Sequence, residues 1–331
     1  MAQDDARGNA RPGRGEGARG GRRAPAREGR GGGRAAEAKR HTEDVAQRLS
    51  GEIDRSREAV RFFEGAPKRN AAEPEDGAEL AVPEVEVVDQ DSVSAVLGRG
   101  RGIASACDLA VLDFASFTQP GGGYIRGTMA QEESLCAESF LYNVLDQLGD
   151  WYAENRRRNI NCELYRDRAF VVPKVRFERE RYHSFADVIV AAAPNARRAR
   201  EDYHVDAPTL ERAMRSRIRL ALAIADELGH DKLVLGAFGC GVFGWDAATV
   251  AELFREELAG GSHVASKVTF AVPKGRFDEN LERFEHAFAK FPEKNEDAYV
   301  SRAAREAELR AEASARDAED DEGEDDWRKY L

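Results

Sequence analysis

The chain has 331 residues, and its 50 Lys and Arg against 61 Asp and Glu leave a net charge of −11, which argues against a general nucleic-acid binder needing clustered cations. Cys107, Cys136, Cys162 and Cys240 show no C-x-x-C spacing and the six histidines are scattered, so neither a disulfide scaffold nor a clustered zinc site is read; no metal and no cofactor are expected. No leader or membrane-spanning run is read either, so the thiols are expected to be reduced in a cytoplasmic, monomeric protein.

In chain order, residues 1–40 are rich in Arg, Gly and Ala and read as a disordered basic arm. Residues 41–65 read as a helix, with Val45, Leu49, Ile53, Val60 and Phe63 on one stripe, and a Pro-, Glu- and Ala-rich loop completes an extension over 41–82. The main domain is expected over 83–291. It opens on the strand VEVV from Val85 and a helix capped by Asp91 or Ser92, followed by the buried strand LAVLDF from Leu109. A triple-glycine loop then leads to a helix over about 131–148. Two strands are expected at 169–175 and 187–193, and a long helix at 209–228 ends at Gly229. KLVLGAF from Lys232 is a further core strand. A second glycine loop and a helix through Leu258 follow, then the strand KVTFAV from Lys267 and a closing helix at 278–288. Residues 292–331 form a charged, partly helical tail. Alternating strands and helices imply an α/β protein: a three-layer α/β/α domain with a mixed, largely parallel central sheet and an N-terminal helical extension. Ligands of such sheets sit at the carboxyl ends of the strands, where both glycine loops emerge.

The stretch GGGYIRGTMAQEESLCAESFLY carries the chemistry. Gly121, Gly122 and Gly123 permit close approach of backbone to a ligand, and their N–H groups suit phosphate oxygens. Glu132 and Glu133 open the following helix, where adjacent side chains point about 100° apart. Acidic residues favour a helix N-terminus in any case. Beside a glycine loop they also supply acid/base capacity for glycosidic or phosphate-ester chemistry on a nucleotide-like substrate.

Gly121-Gly122-Gly123, seven residues, then Gln131-Glu132-Glu133 resembles the signature of poly(ADP-ribose) glycohydrolases, in particular the microbial-type branch built on a macrodomain. LAVLDFASFTQPGGG (109–123), VIVAAAPN (188–195) and LVLGAFGCGVFGWD (233–246) resemble further family segments in the same order. The resemblance implies hydrolysis of ribose–ribose O-glycosidic bonds in poly(ADP-ribose), releasing ADP-ribose from chain ends without a metal. It makes Glu133 the general acid, then base, and gives Glu132 the ribose to hold. Gln131 and the first loop would contact ribose and phosphate. Gly239, Gly241, Val242, Phe243 and Gly244 would form the diphosphate loop, with Phe243 packing on the distal ribose. Asp91 would read adenine, or simply cap its helix; Asn195 would touch ligand, or simply end its strand. The expected partners are poly(ADP-ribose), ADP-ribose and ADP-ribosylated macromolecules. A binding module would lack the two glutamates that this chain keeps. A hydrolase of another ADP-ribosyl linkage, on protein, nucleic acid or a small molecule, remains open. Asp113 stands where the family pattern carries Asn, and Phe117 and Gln119 also depart from it.

Overall fold

The computed structural model describes residues 30–67, 82–157, 161–260, 263–311 and 313. Expectations for the first 29 residues, the 68–81 linker and the acidic end lie outside the described residues. Strands β1 (Arg61–Glu64), β2 (Glu84–Val88), β3 (Leu109–Phe114), β4 (Arg168–Arg179), β5 (Tyr182–Ala191), β6 (Lys232–Leu235) and β7 (Lys267–Ala271) form one sheet in the order β1-β4-β5-β3-β6-β7-β2. β4 pairs antiparallel with β1 and β5, while the pairs from β5 through β3, β6 and β7 to β2 are all parallel. The mixed, largely parallel sheet is therefore as expected.

Central β3 is buried along almost its whole length, as a parallel strand covered on both faces must be. One face packs α1 (Arg30–Arg48), α2 (Ser50–Glu58), α3 (Ser92–Arg99), α4 (Gln131–Ala137), α5 (Leu141–Leu145) and α6 (Gly149–Arg157). The other packs α7 (Ala196–Tyr203), α8 (Ala207–Leu228), α9 (Ala247–Ala259) and α10 (Asn280–Phe288). Asp206 starts α8 by accepting the Thr209 N–H, and Gly229, with φ +72°, ends it. No helix among the described residues is long and apolar enough to cross a membrane.

Four expectations are corrected. Residues 30–40, read as arm, belong to α1, which buries Ala38. The helix read to residue 65 stops at Glu58, and Phe63 lies in β1 opposite Ala169, because an open edge of β4 offers backbone partners that outweigh local helix periodicity. The helix read over 131–148 is two helices. Ser139 breaks it: its hydroxyl donates to the Leu135 carbonyl and accepts the Leu141 N–H, while its backbone bridges to Phe177. The strands read at 169–175 and 187–193 are longer and form a hairpin that turns at Glu180, with φ +57° and no glycine to mark it.

Candidate active site

α4 opens beneath the carboxyl end of β3, and Gln131 fastens it there. Its Oε1 accepts the Phe114 N–H at 2.8 Å, while Nε2 donates to the Leu112 carbonyl at 2.9 Å and to Ser92 Oγ at 3.1 Å. Both ends of an amide expected to face ligand are thus occupied by protein, so Gln131 positions the helix. Glu132, 3% exposed, turns inward and accepts the Ser116 N–H at 2.8 Å. Glu133, 8% exposed, accepts the Gly123 N–H at 2.8 Å and the Thr128 hydroxyl at 3.0 Å through one oxygen, Oε1.

The glycine loop wraps these carboxylates. Gly121 and Gly122 sit at φ +60° and +58°. A Cβ on Gly122 would lie 2.8 Å from both Glu132 Oε2 and Glu133 Oε1, and one on Gly121 would strike the Tyr142 ring at 2.6 Å. Two of the N–H groups expected to cradle phosphate are engaged elsewhere. Gly122 donates to the Gln119 carbonyl and Gly123 to Glu133. Two buried carboxylates on one short helix need donors, and the loop supplies them.

Behind them lies Asp113, fully buried in β3, with no partner for either oxygen among the described residues; Glu132 Oε1 likewise has none. Burial, then the Glu133 carboxylate, holds Asp113 well above the usual carboxylate range; burial, then Asp113, does the same for Glu132. A carboxyl whose native pKa exceeds its unfolded value stabilises the fold fully below about pH 4, and that contribution is lost as pH rises toward the native pKa. Asp113→Asn keeps the shape and removes the titration. In urea melts the variant is expected to gain on the wild type from pH 4 to pH 8, by up to about 1.4 kcal/mol per pH unit. Parallel stability curves would mean that Asp113 ionises freely.

The second loop leaves β6 at the same end of the sheet. Gly239 and Gly244 have φ +78° and +74°, and a Cβ on Gly239 would meet Trp245 at 2.8 Å. Around Gly241 a Cβ would meet nothing within 4 Å, so that stretch lines open space. The N–H groups of Gly241, Val242 and Phe243 meet no acceptor among the described residues, and Val242 is exposed. Arg197 packs against Gly244, and its backbone N–H donates to the Phe243 carbonyl at 2.9 Å. Free donors and a nearby guanidinium suit a diphosphate here rather than at the first loop.

Aromatic rings join the two loops. Phe117 stacks on Tyr165 at 4.5 Å, and Tyr165 meets Phe243 edge-on at 6.2 Å. Tyr165 carries no recognisable motif, and Phe117 stood out only as a bulky departure. Asn155, buried, donates to the Phe117 carbonyl at 2.7 Å and accepts Arg168 at 2.7 Å. Asn195 caps α7 by accepting the Arg198 N–H at 3.2 Å. Asp91 caps α3 through the Ser94 N–H at 2.7 Å and pairs with Arg179 at 3.2 Å. Its carboxylate is therefore occupied by protein, and the capping alternative is the one observed.

The extension also reaches the site. Tyr124, just past the glycines, donates to the Ala38 carbonyl of α1 at 3.1 Å, and His41 bonds the Ser139 carbonyl at 2.9 Å. Between α1 and α4 lies a cavity of about 310 Å³ bordered by Arg34, His41, Thr128, Met129 and Glu133. Neither glycine loop lines it, so Glu133 stands between this cavity and the wrapped loop.

An α/β/α domain with glycine loops at the carboxyl ends of two neighbouring strands, and a buried carboxylate pair wrapped by the first of them, has the frame of an enzyme that binds its substrate at that end of the sheet and works by acid/base chemistry. The family model of the microbial-type PARG (poly(ADP-ribose) glycohydrolase) catalytic domain matches residues 34–180, starting inside α1. The poly(ADP-ribose) glycohydrolase of Thermomonospora curvata bound to the inhibitor ADP-HPD is 29% identical, with a TM-score of 0.65 over 78% of this chain and 100% of that one. The Deinococcus radiodurans enzyme in complex with ADP-ribose is 32% identical, with a TM-score of 0.59 over 70% of this chain and 95% of that one. No curated protein matches. The chain belongs to the microbial-type poly(ADP-ribose) glycohydrolases, which are glycosidic hydrolases.

Proposed function

We propose that this protein hydrolyses the ribose–ribose O-glycosidic bonds of poly(ADP-ribose), releasing ADP-ribose from chain ends, with Glu133 as acid and base. The reading rests above all on the Glu133 carboxyl, aligned by the Gly123 N–H and the Thr128 hydroxyl through Oε1 alone. That leaves Oε2 to carry the proton. Glu133 protonates the departing ribose oxygen, and the C–O bond breaks toward an oxocarbenium-like centre. The same carboxylate then takes a proton from the water that adds to the anomeric carbon, which restores the acid. Glu132 supports the ribose pocket from beneath, residues 241–243 hold the diphosphate, and Phe243 packs on the distal ribose. The catalytic unit runs from α1 to about residue 291, acts as a monomer, and works in the cytoplasm, where its four cysteines stay free.

Labelled poly(ADP-ribose), mono-ADP-ribosylated protein and ADP-ribosylated nucleic acid offered side by side test the linkage. Free ADP-ribose accumulating from the polymer, with long chains shortening gradually, is expected. Release from either of the other two alone would reassign the substrate. Phe243→Ala should weaken ADP-ribose binding about tenfold in calorimetry, with the melting temperature little changed. Unaltered affinity would remove Phe243 from the site.

A further inference from the structure

At the pole of the sheet opposite the glycine loops, three side chains from distant segments meet. Cys107 lies just before β3, Asp187 lies in β5 opposite Ala110, and His230 lies just before β6. Their donor atoms all lie within 4.8 Å of one another. His230 Nε2 is 2.9 Å from Asp187 Oδ2, and Cys107 Sγ is 3.8 Å from Asp187 Oδ1. Asp187 is buried, and its Oδ1 also accepts the Lys174 N–H at 2.8 Å, which fixes the carboxylate.

Tetrahedral zinc, with bonds of about 2.0–2.3 Å, separates its ligand atoms by about 3.3–3.8 Å. His230 and Cys107 approach different oxygens of Asp187, at 2.9 and 3.8 Å, and the longest separation among the ligand atoms, up to 4.8 Å, must close by about 1 Å around a tetrahedral ion. We propose that Cys107, Asp187 and His230 form a binding site for Zn²⁺ or a similar borderline transition metal, with water as the fourth ligand. A thiolate beside an imidazole selects against Ca²⁺ and Mg²⁺. The adjacent cations do not oppose a metal, because Lys232 and Arg101 are both paired with Asp108 at 2.8 and 2.9 Å. An ordinary Asp–His pair does not require a sulfur facing the other carboxylate oxygen. Binding releases the Cys107 thiol proton, and His230 ligates through an unprotonated Nε2. The site is remote from Glu133, so its role is to clamp the segments that enter β3 and β6 to the middle of β5. The ligands lie 80 and 43 residues apart, which is why no motif announced them.

The test uses the tag-free full chain, stripped with a chelator and titrated with Co²⁺. One equivalent is expected to bind, with a thiolate charge-transfer band and four-coordinate visible bands, and Zn²⁺ should bleach both. Cys107→Ser should abolish the charge-transfer band, and His230→Gln should weaken binding at least about tenfold. Saturating Zn²⁺ should raise the wild-type melting temperature by about 5 °C, and that of either variant much less. Absence of a thiolate band at one equivalent, or its persistence in Cys107→Ser, would overturn the site. If Cys107→Ser fails to fold, undiminished affinity in His230→Gln overturns it equally.

Discussion

Glu133→Gln is expected to slow poly(ADP-ribose) turnover by about 10³-fold or more, while ADP-ribose affinity stays within about threefold of the wild type. The amide still accepts from Gly123 and Thr128, so the loop keeps its shape; what is lost is the exchangeable proton. Glu133→Ala should be as inactive, but it also strands two donors and is expected to be less stable. Comparing the two variants separates chemistry from architecture. Single-turnover rates and calorimetry read both quantities. Near-normal turnover by Glu133→Gln would move the acid elsewhere, and Glu132, the next carboxyl along the helix, would be the first place to look.

The second large effect is expected at a residue with no reactive group. Gly122→Ala places a methyl 2.8 Å from an oxygen of each glutamate, on a backbone at φ +58°. The left-handed conformation alone costs a residue with a Cβ about 1–2 kcal/mol. Relief of the contact must come from the loop or from both carboxylates, by several tenths of an ångström. If Glu133 is the acid proposed above, a misplacement approaching 1 Å costs about 10²-fold in rate, and turnover is expected to fall by up to that much. The domain should stay folded, with a melting temperature lowered by only a few degrees. Turnover within about threefold of the wild type would show that the loop does not set the glutamate geometry.

Much of the frame was legible because local chemistry and tertiary structure agree. LAVLDF has the apolar run of a doubly covered strand, interrupted only by Asp113, and Gly229 and the Asp-led helices carry their own stop and start signals. Legibility failed where a neighbour decided the conformation. Residues 61–64 keep helical spacing but pair with β4, and Ser139 breaks a helix through bonds to Leu135 and Leu141. Glu180 turns a hairpin without the glycine that usually betrays one. Within the site, residue types were readable but directions were not. Nothing in the string GGG tells that the Gly123 N–H points at the protein's own Glu133 carboxylate, nor that Gln131 turns its amide onto β3. Tyr165 and α1 were invisible as site elements because each joins it through partners distant in sequence, Phe117 and Phe243 for one, Tyr124 and Ser139 for the other.

These expectations rest on one proposed division of labour: the first glycine loop sets the acid, and the second holds the diphosphate. A crystal structure of the protein with ADP-ribose measures it directly. The expected result is the Glu133 carboxyl within hydrogen-bond reach, about 3 Å, of the oxygen on the anomeric carbon, with the diphosphate against the N–H groups of Gly241, Val242 and Phe243. An anomeric carbon turned away from Glu133, or a diphosphate seated on Gly121, Gly122 and Gly123 instead, would contradict it.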